Sequence, residues 1–215
     1  MKRLATLLSL AIAVLLAGCF GIWERESDSS PWVPPWQRAV ASPRPWKWIV
    51  LHHSGSPIGG ARELSPPPPE DEDEDAPPDC PYHFVIGNGR GSGAGEVEIS
   101  RRWLEQRVTD HVTAPGVAED AIGICLIGNF DEGDPTLAQE TALLRLCLHL
   151  TGAFHIDDAA ILAHCEVQQP GQPPTTCPGS RFDMIPFRKM LEGTRQSAPR
   201  DFRVPENEQP AAAPR

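Results

Sequence analysis

What the sequence lacks narrows its function first. It has no C-x-x-C pair and no dense cysteine framework, which argues against a dithiol redox motif or a small disulfide-stapled scaffold. Basic residues are outnumbered, with 19 Lys and Arg against 29 Asp and Glu and a net charge of −10, and this argues against a nucleic-acid partner. Beyond Leu16 no run is apolar enough to span a bilayer. Tyrosine occurs once, as Tyr82. The acidity is local. Glu70 to Asp75 and Asp79 supply seven carboxylates, and without them the balance is −3. The nearly neutral remainder says little about substrate.

The first residues, Met1-Lys2-Arg3, precede an uncharged apolar run from Leu4 to Leu16, too short to cross a membrane comfortably and patterned as an export signal. It closes on Leu16-Ala17-Gly18-Cys19, which resembles the bacterial lipoprotein cleavage box. The expectation is a signal peptide over 1–18 and a lipid on Cys19 that anchors the chain without a transmembrane helix. Phe20 and Gly21 carry no acidic retention signal, favouring the periplasmic face of the outer membrane. Residues 19–45 read as a flexible linker and 196–215 as a disordered Pro- and Ala-rich tail, which leaves one domain over 46–195. Inside it, Pro66 to Pro69 and the acidic run cannot build a helix, so 65–79 reads as a solvated loop.

Trp46-Lys47-Trp48-Ile49-Val50-Leu51 is aromatic and β-branched and stops at His52-His53-Ser54-Gly55, the pattern of a buried strand ending in a polar loop. His83 to Gly89 gives a second strand entering a Gly/Asn turn, and Glu96-Val97-Glu98-Ile99 a third. The near-continuous apolar run Ala121 to Gly128 predicts a central strand covered on both faces. Pro135-Thr136 opens a helix over Leu137 to Thr151, with Gly152 placed to end it. Phe182 to Glu192 predicts a short terminal amphipathic helix. The order implies an α/β domain, a mixed central β-sheet flanked by helices.

Export predicts an oxidising compartment, yet removing Cys19 leaves five cysteines, an odd count in which one thiol has no intramolecular partner and is a candidate metal ligand. Cys177 is that candidate. A hydrolytic zinc site takes three protein ligands and keeps its fourth position for water. His52, His164 and Cys177 offer two imidazoles and a thiolate. A histidine at a strand end is by itself more often packed or hydrogen-bonded than ligating, so context has to decide.

That context is a resemblance carried by four blocks in order: Ile49 to Ser54, Tyr82 to Gly89, Ala121 to Phe130, and His164-Cys165-Glu166 through Thr175-Thr176-Cys177-Pro178-Gly179. Together they resemble the zinc-dependent N-acetylmuramoyl-L-alanine amidases, a family that includes peptidoglycan recognition proteins and amidase lysozymes of some phages. The resemblance implies Zn2+ held by His52, His164 and Cys177, with peptidoglycan as substrate. It implies catalytic roles for Tyr82 beside the metal and for Thr175 two residues before the cysteine ligand. Relatives in another branch place a Glu where this chain has Cys125 and use Asp as third ligand. His111 resembles a groove-lining position that follows Gly-Ala in relatives and follows Thr109-Asp110 here.

Several neighbours have other readings. Successive strand residues face opposite sides, so His53 is expected to point away from the metal, and His83 stays ambiguous. Cys165, next to a proposed ligand, reads as a competing ligand, a disulfide partner or an inert thiol. Between Ser56 and Cys80 the chain lacks the helix that relatives place there. The rival functions are a non-catalytic peptidoglycan-binding receptor using the same groove and a structural zinc module closed by a fourth protein ligand.

Overall fold

A computed structural model describes residues 40, 42–71, 73 and 75–197. The expected signal peptide, the Cys19 anchor, most of the 19–45 linker and nearly all of the 196–215 tail lie outside them. Among the described residues no helix is long and apolar enough to cross a membrane.

Five strands form one mixed sheet: β1 Trp48–His53, β2 Phe84–Asn88, β3 Ala94–Ile99, β4 Ala121–Leu126 and β5 Ile161–Ala163, in the order β3-β2-β4-β1-β5. The β2/β3 pair is antiparallel and the other pairings are parallel. Among the described residues the α-helices are the short α1 Arg101–Leu104, the long α2 Leu137–Phe154 and the terminal α3 Met184–Ser197.

Every residue of β4 is buried, as an unbroken apolar run in mid-sheet requires. Alternation then sorts the strands onto two faces. Ile49, Leu51, Phe84, Ile86, Ile122, Ile124 and Leu126 join Leu143, Leu146 and Leu150 of α2 and Phe187 and Leu191 of α3 in the main core. Each fully buried side chain of this kind stabilises the fold by about 1.5–3 kcal/mol. Val50, Val85 and Cys125 face the other way, into two smaller clusters. The candidate ligand His52 belongs to that second face.

Thr136 begins α2 by accepting from Gln139 N, and the Gln139 side chain reaches back to the Thr136 N–H, a reciprocal capping box. Gln139 is also buried, and its Nε2 donates to the carbonyls of Ile86 and Ile127. The helix does not end at Gly152 as expected. It runs to Phe154, and His155 takes the left-handed conformation (φ 54°, ψ 37°) at its end. Ile156 is buried and its N–H reaches the Thr151 carbonyl, so the capping bond and its apolar contact select the stop. A single glycine within a helix only weakens it.

The terminal helix likewise differs from Phe182–Glu192, starting at Met184 and continuing to Ser197. Asp183 Oδ1 accepts from Ile185 N and so sets the start, while Arg195 in the last turn reaches Asp158 and Thr151. The third strand begins two residues before the expected Glu96. Among the described residues between β1 and β2 there is no helix or strand, and residues 66–71, 73 and 75 are exposed.

Candidate metal centre

Three segments that are distant in sequence converge on the second face of the sheet. His52 is at the carboxyl end of β1, opposite Cys125 of β4 in the parallel register. His164 follows β5 directly, opening a 3₁₀ turn over His164–Val167. Cys177 arrives on the loop before α3, tied to that turn by the Cys165 N–H, which donates to the Cys177 carbonyl at 2.8 Å. The ligand atoms of His52, His164 and Cys177 all lie within 4.8 Å of one another. Tetrahedral zinc would separate a sulfur and a nitrogen donor by about 3.6 Å, and Cys177 Sγ lies 3.7 Å from His52 Nδ1. The donor set therefore fits zinc.

Electrostatics keep the imidazoles in the ligating form. Burial, followed by the neighbouring His111, His164 and His53, holds His52 well below the ordinary histidine range. Burial and His53 also lower His164. The Cys177 thiol is pushed up to about 11 by burial, partly offset by a backbone hydrogen bond from His53. A bound cation would reverse that cost, because coordination deprotonates the thiol.

His53 points to the opposite face, where its Nδ1 accepts from Phe130 N at 3.1 Å. Cys165 is exposed, and neither residue belongs to the cluster. Among the described residues the set thus has three donors, the pattern of a site with an open position rather than a closed structural one. The five described cysteines are free thiols.

The Tyr82 ring lies 5.1 Å from the His52 ring, centroid to centroid. Burial, and then Cys125 and Cys177, push its phenol far above the ordinary value. Thr175 Oγ1 accepts from Cys177 N at 3.1 Å, so its hydroxyl shapes the turn that presents the cysteine. Cys125 is fully buried, and burial raises its thiol strongly.

Two residues connect to the site in ways the sequence did not signal. His111 is 7% exposed, and instead of lining an open groove its Nδ1 lies 2.9 Å from His52 Nε2. Asp131 Oδ1 accepts from Ser180 N and its Oδ2 from the Thr176 hydroxyl, each at 2.8 Å, fastening the cysteine loop to the segment after β4. His83 is buried, with Nε2 2.9 Å from the Arg107 carbonyl and Nδ1 accepting from Gly123 N at 2.9 Å. A separate cleft of about 390 Å³ opens at the carboxyl ends of β2 and β4, bordered by Asn88, Arg90, Asn129 and Glu132. None of the three cluster residues lines it, and the donor chemistry places the candidate site at the cluster instead.

Comparison with known proteins gives concordant matches. A family profile described as N-acetylmuramoyl-L-alanine amidase matches residues 42–180. Among solved structures, the chain is similar to the N-acetylmuramoyl-L-alanine amidase LysC from Clostridium intestinale, with 26% identity and a TM-score of 0.52 over 72% of this chain and 93% of that one. The endolysin amidase LysCS from the same organism matches at 24% identity and a TM-score of 0.48, over 72% and 91%. Human PGRP-IβC, solved in complex with glycosamyl muramyl pentapeptide, matches at 19% identity and a TM-score of 0.47, over 69% and 87%. A search of curated protein sequences gives no match.

Proposed function

This chain belongs to the N-acetylmuramoyl-L-alanine amidase family, and from that membership and its three-donor cluster we propose that it is a zinc-dependent peptidoglycan amidase. The bond cleaved is the amide between the lactyl group of N-acetylmuramic acid and L-alanine. The observation that carries the reading is the convergence of His52, His164 and Cys177 within 4.8 Å, with no fourth protein ligand among the described residues of the kind a structural site would use.

His52, His164 and Cys177 hold the metal. When bound, zinc supplies Lewis acidity, activating water and polarising the amide carbonyl. The protein's own groups do the rest. Tyr82, kept protonated by burial, serves as a hydrogen-bond donor to the oxygen on which negative charge develops, and not as the base. Thr175 uses an oxygen lone pair on Cys177 N, which leaves its proton free to donate to the same oxygen.

The test is digestion of purified peptidoglycan followed by mass spectrometry. The expected products are free stem peptides beginning with L-alanine and intact glycan strands, with activity lost to a chelator and restored by zinc. New sugar reducing ends, or cuts between stem amino acids, would overturn the assignment. Binding of muropeptides without turnover would identify a receptor instead. We also propose anchoring through a lipid on Cys19 at the periplasmic face of the outer membrane, resting on the sequence alone. Cys19→Ser should move the protein from the membrane to the soluble fraction; unchanged partition would refute the anchor.

A further inference from the structure

The Ala121 carbonyl can only accept a hydrogen bond, and His111 Nε2 lies 3.4 Å from it. The contact is long, but its direction is fixed, so the proton of His111 sits on Nε2. A neutral imidazole has one N–H, and burial of the ring, which is 7% exposed, disfavours the doubly protonated cation. Its Nδ1 therefore carries a lone pair. Across 2.9 Å stands His52 Nε2, which must then be the donor. With the His52 proton on Nε2, the lone pair falls on Nδ1, the atom that faces Cys177 Sγ.

A second observation concerns how His111 reaches this position. A Cβ placed on Gly123 would lie 2.8 Å from both Cγ and Cδ2 of His111, a distance that side chains do not tolerate. The imidazole rests directly on the bare Cα of the central strand. The same residue's N–H donates to His83 Nδ1, and His83 Nε2 in turn meets the Arg107 carbonyl. Gly123 thus seats one histidine and anchors another that holds the segment leading to His111.

We infer that His111 is a positioning residue for the metal ligand His52, fixing its proton on Nε2 and freeing Nδ1 to coordinate, and that Gly123 is the glycine that admits it. The inference rests on the zinc reading for its purpose but not for its geometry. An acceptor behind a ligating histidine orients the ring and raises its basicity, and loss of such a partner typically costs about 10–100-fold in metal affinity.

The tautomer is measured first, by long-range 1H–15N NMR of the imidazoles in the metal-free full chain. His52 is expected with its proton on Nε2; a proton on Nδ1 overturns the inference whether or not zinc binds. Zinc affinity is then read by competition with a chromogenic chelator, with folding checked by circular dichroism. His111→Leu and Gly123→Ala are each expected to weaken zinc binding by about 10–100-fold. His111→Asn, whose Oδ1 replaces the Nδ1 acceptor, should recover most of that loss. Equal affinity in the folded Leu variant, or an Asn variant as weak as Leu, overturns the role. If His111→Leu does not fold, the Asn variant and the wild-type tautomer still decide. Absence of zinc binding in the wild-type chain would refute the zinc reading, leaving the tautomer result to stand by itself.

Discussion

Asp131 accepts a hydrogen bond from the hydroxyl of Thr176, the residue immediately before Cys177, at 2.8 Å. With its other oxygen it takes the N–H of Ser180, so one carboxylate spans the loop that delivers the thiol. These bonds also lower its own pKa, the Ser180 backbone bond first. Asp131→Ala should loosen the loop and weaken zinc binding on the order of tenfold, with Asp131→Asn intermediate. Chelator competition measures this, and unchanged affinity in the Ala variant would remove Asp131 from the account.

The histidine pair of β1 provides a direct test of face assignment. His52→Ala should abolish zinc binding, while His53→Ala keeps it, because the His53 ring is bonded to Phe130 N on the opposite side. Cys177→Ser and His164→Ala should behave as His52→Ala does. All should retain folded protein, since the main core does not include these residues. The reverse pattern within the pair would mean that the wrong face has been assigned.

Removing one hydroxyl separates binding from chemistry. Tyr82→Phe keeps the ring beside His52 and should retain zinc, while kcat falls by about 10²–10³-fold, the usual loss of one donor to a developing oxyanion. Steady-state kinetics on muropeptides with metal content checked in parallel would show it. A variant with wild-type kcat would exclude the phenol from the reaction.

Stability should depend on pH through His83. Burial, and secondarily His111, Arg102 and Arg44, lower its pKa to about 3, although the Arg107 carbonyl opposes this. The unfolded chain takes up this proton near the ordinary value of about 6.5 and the folded chain does not until about 3. Between those limits the unfolded state binds more protons, so stability falls as pH falls. The group's contribution is complete above pH of about 6.5, and it drops by up to about 1.4 kcal/mol per pH unit below that. Urea unfolding of metal-free protein from pH 7 to 4 should show a shallower decline in His83→Asn. Identical slopes would assign the acid sensitivity elsewhere.

The clustering of His52, His164 and Cys177 was legible because these candidates stand at interpretable places: His52 ends an apolar strand run, and His164 and Cys177 lie in a block that resembles known amidases. The central position of β4 was legible from its uninterrupted apolar run. His111 was not, because its environment is built by contacts to His52 and Gly123, which are 59 and 12 positions away in sequence. A short Thr-Asp prefix gives no sign of burial. Asp131 was hidden for the same reason, since its partners come 45 and 49 residues later. The end of α2 was not legible, because Gly152 is a plausible stop on composition, whereas the actual stop follows from the burial of Ile156. Local chemistry is written along the chain, and the supports behind it are set by which segments the sheet makes adjacent.

The amide of Gln139 belongs to two structures at once, completing the first turn of α2 and donating to the carbonyls of Ile86 within β2 and of Ile127 just past β4. Fraying of the first helical turn would take the Gln139 amide from the Ile127 carbonyl and leave the Ile86 carbonyl only the Ile127 N–H, and parting of the strands would release the side chain whose Oε1 caps the helix. Opening of either element carries the cost of the other, which makes them one cooperative unit in the sense of native-state hydrogen exchange. The amides of the first turn of α2 and of Ile127 should accordingly exchange with a common opening free energy. In Gln139→Leu that shared value should split in two, with the helix start exchanging first.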